Sequence, residues 1–115
     1  MFFHGGAWAH GDPRDYGFIA RNIAPEGYVV VLGGYRLNES GRYPAMLKDT
    51  ATAVGWVYDN IEDYGGDPDR IVLWGTSYAG GHVIAVAADD PLIAGVISQG
   101  AALDGLAAVL NVWSY

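Results

Sequence analysis

Two short glycine-containing segments carry the residue types that could do chemistry in this chain. In Gly75-Thr76-Ser77-Tyr78-Ala79 a serine stands between an apolar strand pattern and a helical pattern, and such a turn projects the hydroxyl above the sheet as a nucleophile. The turn also aims the backbone N–H of Tyr78 at the point where negative charge would develop on an acyl oxygen. Gly75 lets neighbouring backbone pass closely, and Ala79 is small, although glycine is commoner there. The segment predicts that Ser77 attacks an acyl carbonyl.

The second segment, His4-Gly5-Gly6-Ala7-Trp8, could supply the remaining hydrogen-bond donors for that charge. It follows the apolar residues 1–3, and its glycines remove side chains that would block approach to the backbone amides. We predict that the amides of Gly6, Ala7 and Tyr78 form an oxyanion hole. Trp8 and Tyr78 flank it and are candidate substrate-binding residues, although aromatic residues there are equally often part of a core. The two segments occur in the required order, about 70 residues apart.

Other interpretations of the polar residues are less well supported. A phosphate-binding loop would need Lys and then Ser or Thr after the glycines, and Gly81-His82 stands there instead. His4 is expected to hold the loop backbone by hydrogen bonds. His82, on the helix after Ser77, turns away from the hydroxyl and is expected to be a packing or solvent-facing residue. His10 could reach the serine only if its loop folded over the site.

Composition and charge exclude several classes of function. The 115 residues are 51% hydrophobic, which is ample for one domain with a buried core. A net charge of -7 with six Lys plus Arg leaves no basic patch, so nucleic acid and membrane are not expected partners, whereas a small molecule is. There is no cysteine, and no cluster of residues suggests a metal or another cofactor. No apolar run approaches the ~18 residues of a membrane span, and we expect a cytoplasmic location.

The elements that must position the two segments alternate between strand and helix, which predicts an α/β fold with a parallel sheet. Asp12-Pro13 begins a first helix that ends at Pro25-Glu26-Gly27. Pro44 begins a second helix with a continuous apolar stripe, closed by Gly65-Gly66. The second and third strands are expected to be buried on both faces. The strands are predicted at residues 1–3, 28–32, 70–74 and 92–98, and further helices at about 78–88 and within the apolar tail 103–115.

Four stretches of the sequence together resemble the esterase and arylformamidase-like branch of the α/β-hydrolases: HGGAW, VVVLGGYRL, YPAMLKDTATAVGWVYDNIEDYGGDPDRI and GTSYAGGH. The resemblance covers residues 1–104. It implies a three-layer α/β/α arrangement in which the four predicted strands are strands 3, 4, 5 and 6 of the family, in the spatial order 4-3-5-6. It also implies a serine carboxylesterase, with a small-molecule ester, or an N-formyl amide, as the substrate.

The same family needs an acid, usually after strand 7, and a histidine after strand 8, because serine is a poor nucleophile until a base removes its proton. We expect residues 1–115 to form a single partial α/β-hydrolase domain that lacks strands 1–2 and 7–8. Asp104, after strand 6, is a candidate acid, although Asp104-Gly105 before an apolar run fits a turn or helix cap better.

Two consequences follow from an incomplete domain. One is an alternative function, a non-catalytic hydrolase-like module that binds a ligand or a partner chain without the histidine and the acid. The other concerns the sheet, because a strand 3 reduced to residues 1–3 leaves unpaired backbone between strands 4 and 5. We therefore expect self-association through the incomplete sheet.

Overall fold

The computed structural model describes residues 1–101, in which helices flank a four-stranded parallel sheet. The spatial strand order is β2-β1-β3-β4, so the predicted fold class and the order 4-3-5-6 are confirmed. Asp104 and the helix predicted in residues 103–115 lie outside the described residues. Within residues 1–101, no helix is both long and apolar enough to cross a bilayer. The strands are β1 (Phe2–Phe3), β2 (Leu32–Gly33), β3 (Val72–Thr76) and β4 (Gly95–Gln99), and the helices are α1 (Gly17–Ile23), α2 (Ala45–Asn60) and α3 (Tyr78–Ala88).

The strand order decides which face of the sheet each helix covers. The chain steps from β1 to β2 and then back across β1 to β3, so right-handed crossovers place α1 on one face and α2 and α3 on the other. The side chains agree with this arrangement. Phe2 packs against Tyr16, just before α1, with ring centroids 5.1 Å apart, whereas Phe3 points to the opposite face. There Phe3 joins the main apolar core, which includes Met46, Val54, Val57, Leu73, Ala79, Val83 and Val86.

The helices end where the turn residues predicted. Asp12 caps the first helical segment, because its carboxylate accepts a hydrogen bond from the Arg14 N–H at 2.8 Å. A 3-10 turn at Pro13–Tyr16 then leads into α1. Gly27 and Gly65 end the first and second helical segments with φ of 93° and 82°, values at which a Cβ would be strained.

The predicted burial of the second strand on both faces is wrong. β2 contains only Leu32–Gly33, and Tyr28 and Val29 are 65% and 42% exposed. The cause is the short neighbouring strand, since β1 offers two residues for pairing. Tyr28, Val29 and Val31 line a cavity of about 590 Å³, the sheet gap, beside β2.

The third and fourth strands begin later than predicted. Arg70 belongs to the 3-10 turn Pro68–Arg70, and β3 starts at Val72. Val72 is 40% exposed, so burial of this strand on both faces is also wrong at its start. Leu92 lies in the turn before β4 and donates its N–H to the Asp90 carboxylate at 3.0 Å. β3 nevertheless ends at Thr76, which leaves Ser77 directly after the strand.

Candidate active site

Ser77 forms the turn between β3 and α3 in a conformation that few non-glycine residues adopt. Its φ is 53° and its ψ is -123°, and such a backbone persists only where the surrounding structure enforces it. The Ser77 N–H donates to the carbonyl of Gln99 in β4 at 2.8 Å, and the Ser77 carbonyl accepts from the Gly80 N–H at 3.0 Å. The turn is thus held on one side by β4 and on the other by the first turn of α3, and it leaves the Ser77 side chain exposed.

Small residues allow α3 to pack directly on the end of β3. A Cβ added to Gly75 would lie 2.2 Å from the Ala79 carbonyl oxygen, and one added to Gly80 would lie 2.9 Å from Ser98 Oγ. Ala79 itself is fully buried. The first turn of the helix therefore approaches the strand at a distance that position 75 permits only for glycine, and alanine fits at position 79.

The loop of residues 4–11 passes beside this turn. A Cβ added to Gly5 would lie 3.0 Å from Ser77 Cβ and 3.1 Å from the Thr76 carbonyl oxygen. Gly6, Ala7 and Trp8 have φ of 122°, 52° and 58°, so three successive residues are in the left-handed region that favours glycine. The two segments that the sequence singled out therefore meet in space.

The backbone N–H groups of Gly6, Ala7 and Tyr78, all near this meeting point, have no hydrogen-bond acceptor among residues 1–101. The Gly6 carbonyl accepts from the Ala9 and His10 N–H groups, each at 3.0 Å. Tyr78 is the first residue of α3, where the helix dipole favours negative charge.

His4 supports the backbone of this loop. Its ring N–H donates from Nδ1 to the Gly5 carbonyl at 2.6 Å, and the ring stacks between those of Tyr16 and Tyr35, at 5.8 and 4.8 Å. The Tyr35 hydroxyl donates to the His4 carbonyl at 2.7 Å, and burial raises the pKa of Tyr35 to about 12. His4 therefore makes the backbone-holding contacts expected from the sequence.

His82 makes a contact that sequence reasoning missed. Its ring is buried, and Nε2 accepts a hydrogen bond of 2.5 Å from the Trp8 indole N–H. The Trp8 and Tyr78 rings pack in a T-shaped arrangement with centroids 4.4 Å apart, and the Trp8 ring lies nearly parallel to that of His82, with centroids 6.0 Å apart. Burial, and to a smaller extent the neighbouring His4, lowers the pKa of His82 to about 4. The available signal was the four-residue spacing of Tyr78 and His82, which puts both on one face of α3.

No histidine hydrogen-bonds to the Ser77 hydroxyl among the described residues, which include all three histidines of the chain. His4 and His82 are buried in the contacts just described, and His10 is exposed in the loop. The described part of the chain also has no group of three His, Asp or Glu side chains that could hold a metal ion.

Comparison with known proteins identifies the family. A family model described as BD-FAE matches residues 1–103. The chain belongs to the BD-FAE family. This BD-FAE chain is 35% identical over 104 residues to esterase LipC of Mycobacterium tuberculosis, covering 87% of the chain and 26% of that protein. It is 38% identical over 89 residues to carboxylesterase NlhH of the same species, covering 76% of the chain and 28% of that protein.

Solved esterase structures share the fold of this BD-FAE chain. An esterase of the fungus Rhizomucor miehei superimposes with a TM-score of 0.78 at 26% identity, covering 90% of the chain and 34% of that structure. An esterase of Pyrobaculum calidifontis does so with a TM-score of 0.76 at 28% identity, covering 84% and 34%. The chain thus has the α/β-hydrolase fold of these esterases over the part that it covers. It spans about a quarter to a third of the length of the named relatives and structures.

Proposed function

We propose that this chain carries the nucleophile and the oxyanion hole of a serine hydrolase that acts on small-molecule carboxylic esters. The observation that carries the proposal is the close approach of Gly5 to Ser77, with only 3.0 Å between the Cβ that Gly5 lacks and Ser77 Cβ. This approach brings the loop amides and the N-terminus of α3 to the same serine. Relatives named esterase and carboxylesterase support an ester as the substrate.

In the proposed reaction, Ser77 Oγ bonds to the acyl carbon while its proton passes to a base. The carbonyl oxygen becomes an oxyanion, which the N–H groups of Gly6, Ala7 and Tyr78 stabilise. Collapse of this intermediate releases the alcohol, which takes up the proton, and leaves an acyl-serine that water hydrolyses to the acid. Trp8 and Tyr78, whose rings meet beside the loop, would form one wall of the acyl site. An N-formyl amide could react by the same steps with an amine as leaving group.

The base is the part of the mechanism that residues 1–101 do not place beside Ser77. His4 and His82 are buried, and neither hydrogen-bonds to Ser77, so neither is set to receive the serine proton. We propose that the catalytic histidine is part of a longer protein, of a length similar to that of the relatives. Within this chain, the candidate base is His10. Asp104 remains the candidate acid.

The lack of a histidine at Ser77 favours a second candidate function, a module that binds an acyl compound without hydrolysing it. Hydrolysis of p-nitrophenyl acetate and butyrate by the parent and by Ser77→Ala separates the two functions. Removal of any one member of a triad leaves about 10³-fold acceleration over water from the oxyanion hole and binding alone, so both proteins should show this background. Catalysis through the serine should make the parent faster than Ser77→Ala.

Equal rates in the parent and Ser77→Ala would overturn the catalytic proposal. In that case a titration with a trifluoromethyl ketone, followed through the backbone amide resonances of Gly6 and Tyr78, would test the binding module. Rates of formanilide hydrolysis, measured alongside those of the esters, would show whether the chain also cleaves N-formyl amides.

A further inference from the structure

The conformation of the loop of residues 4–11 needs an external support. Ala7 and Trp8 are not glycines, yet their φ values are 52° and 58°, a conformation that is unfavourable for residues with a Cβ. Hydrogen bonds within the loop close its turn through the Gly6 carbonyl but do not attach it to the rest of the protein. Contacts from outside must therefore select this conformation.

The contacts of Trp8 provide that support. Its carbonyl accepts from the Asn38 N–H at 2.8 Å, and its indole N–H donates to His82 Nε2. Its ring contacts Tyr78 and His82, one helical turn apart on α3. Because Tyr78 carries one proposed oxyanion donor and the loop carries the others, Trp8 connects the two sets of donors directly.

His82 is suited to be a fixed, neutral acceptor. With Nε2 accepting, the ring proton is on Nδ1, which is buried and has no partner among the described residues. The Tyr35 ring packs against the imidazole in a T-shaped arrangement, with centroids 4.8 Å apart, and His4 is the titratable group whose charge acts on His82. A ring with one accepting nitrogen and no competing partner can hold the Trp8 indole in a single position.

We infer that Trp8 and His82 are a pair of positioning residues, whose hydrogen bond fixes the loop of residues 4–11 on α3 so that its amides and that of Tyr78 converge beside Ser77. The inference rests on the proposed function for its kinetic consequence. Its structural content, the placement of the loop amides, is independent of any turnover.

The test uses ¹⁵N-labelled full chain and four variants. Trp8→Phe keeps an aromatic ring but removes the donor, and His82→Leu removes the acceptor. His82→Gln restores an acceptor at about the reach of Nε2, and Trp56→Phe, at a 48% exposed residue of α2, is the matched control. In the parent we expect a downfield Trp8 indole proton and an Nδ1-protonated His82.

In Trp8→Phe and His82→Leu we expect the Gly6 and Ala7 amide resonances to shift or broaden and kcat on p-nitrophenyl acetate to fall about tenfold with little change in KM. His82→Gln should recover most of both, and Trp56→Phe should change neither. The inference is overturned if folded Trp8→Phe leaves those resonances as Trp56→Phe does, or if His82→Gln is as impaired as His82→Leu. Should Ser77→Ala match the parent in rate, the proposed function fails while the resonances still decide the positioning role.

Discussion

Gly5→Ala should push the loop of residues 4–11 away from Ser77. The added Cβ would lie 3.0 Å from Ser77 Cβ, whereas ordinary contact begins at 3.4 Å, so the gap must open by about 0.4 Å. Since a misplacement of about 1 Å costs about a hundredfold in rate, this opening corresponds to roughly a sixfold loss of kcat/KM. Overpacking against the Thr76 carbonyl should lower the free energy of unfolding by about 1–3 kcal/mol.

Hydrolysis of p-nitrophenyl acetate and urea unfolding measure the two effects in the same preparations. Gly55→Ala is the matched control, because a Cβ at this α2 position meets nothing within 4 Å, and alanine should raise the free energy of unfolding by up to about 1 kcal/mol. The reasoning is refuted if folded Gly5→Ala hydrolyses the ester as fast as Gly55→Ala.

The remaining predictions concern burial, titration and the sheet gap. Gly75→Ala should cost about 3 kcal/mol or fail to fold, because its Cβ would lie 2.2 Å from the Ala79 carbonyl oxygen; an unchanged midpoint of thermal unfolding would contradict this. The pKa of His82 is lowered from 6.5 to about 4. The neutral ring therefore contributes fully to the free energy of unfolding above pH 6.5, and this contribution falls by about 3 kcal/mol as the pH drops to 4. The free energy of unfolding in urea should fall with pH more steeply for the parent than for His82→Gln, and the same pH dependence in both proteins would exclude this effect. We propose that the chain self-associates through the gap beside β2, so Val29→Lys should reduce the sedimenting mass while Leu92→Lys should not; a monomeric parent would contradict the proposal.

The sequence predicted the elements well because local signals and the family resemblance agreed. Asp12, Gly27 and Gly65 mark helix ends through backbone chemistry that depends on few neighbours. The strand order came from the resemblance rather than from any local pattern. Strand limits were less accurate, because the run at residues 28–32 is apolar enough for a buried strand but pairs only where β1 offers a partner.

The candidate site, too, could be predicted from the sequence only in part. Ser77 and the glycine loop could be found because a tight turn and a close approach each demand particular small residues. The Trp8–His82 contact could not be derived, since it joins residues 74 positions apart and depends on how the loop folds over α3. The sequence alone predicts Trp8 as a substrate-binding or core residue and His82 as a packing or solvent-facing residue.

The central claim is that Ser77 is a nucleophile held beside an oxyanion hole, and covalent labelling tests it most directly. The measurement is the intact mass of purified chain after treatment with a fluorophosphonate, with Ser77→Ala treated in parallel. We predict a single adduct on the parent, formed slowly if the base is missing, and none on Ser77→Ala. A folded parent without an adduct, or an equal adduct on both proteins, would contradict the claim.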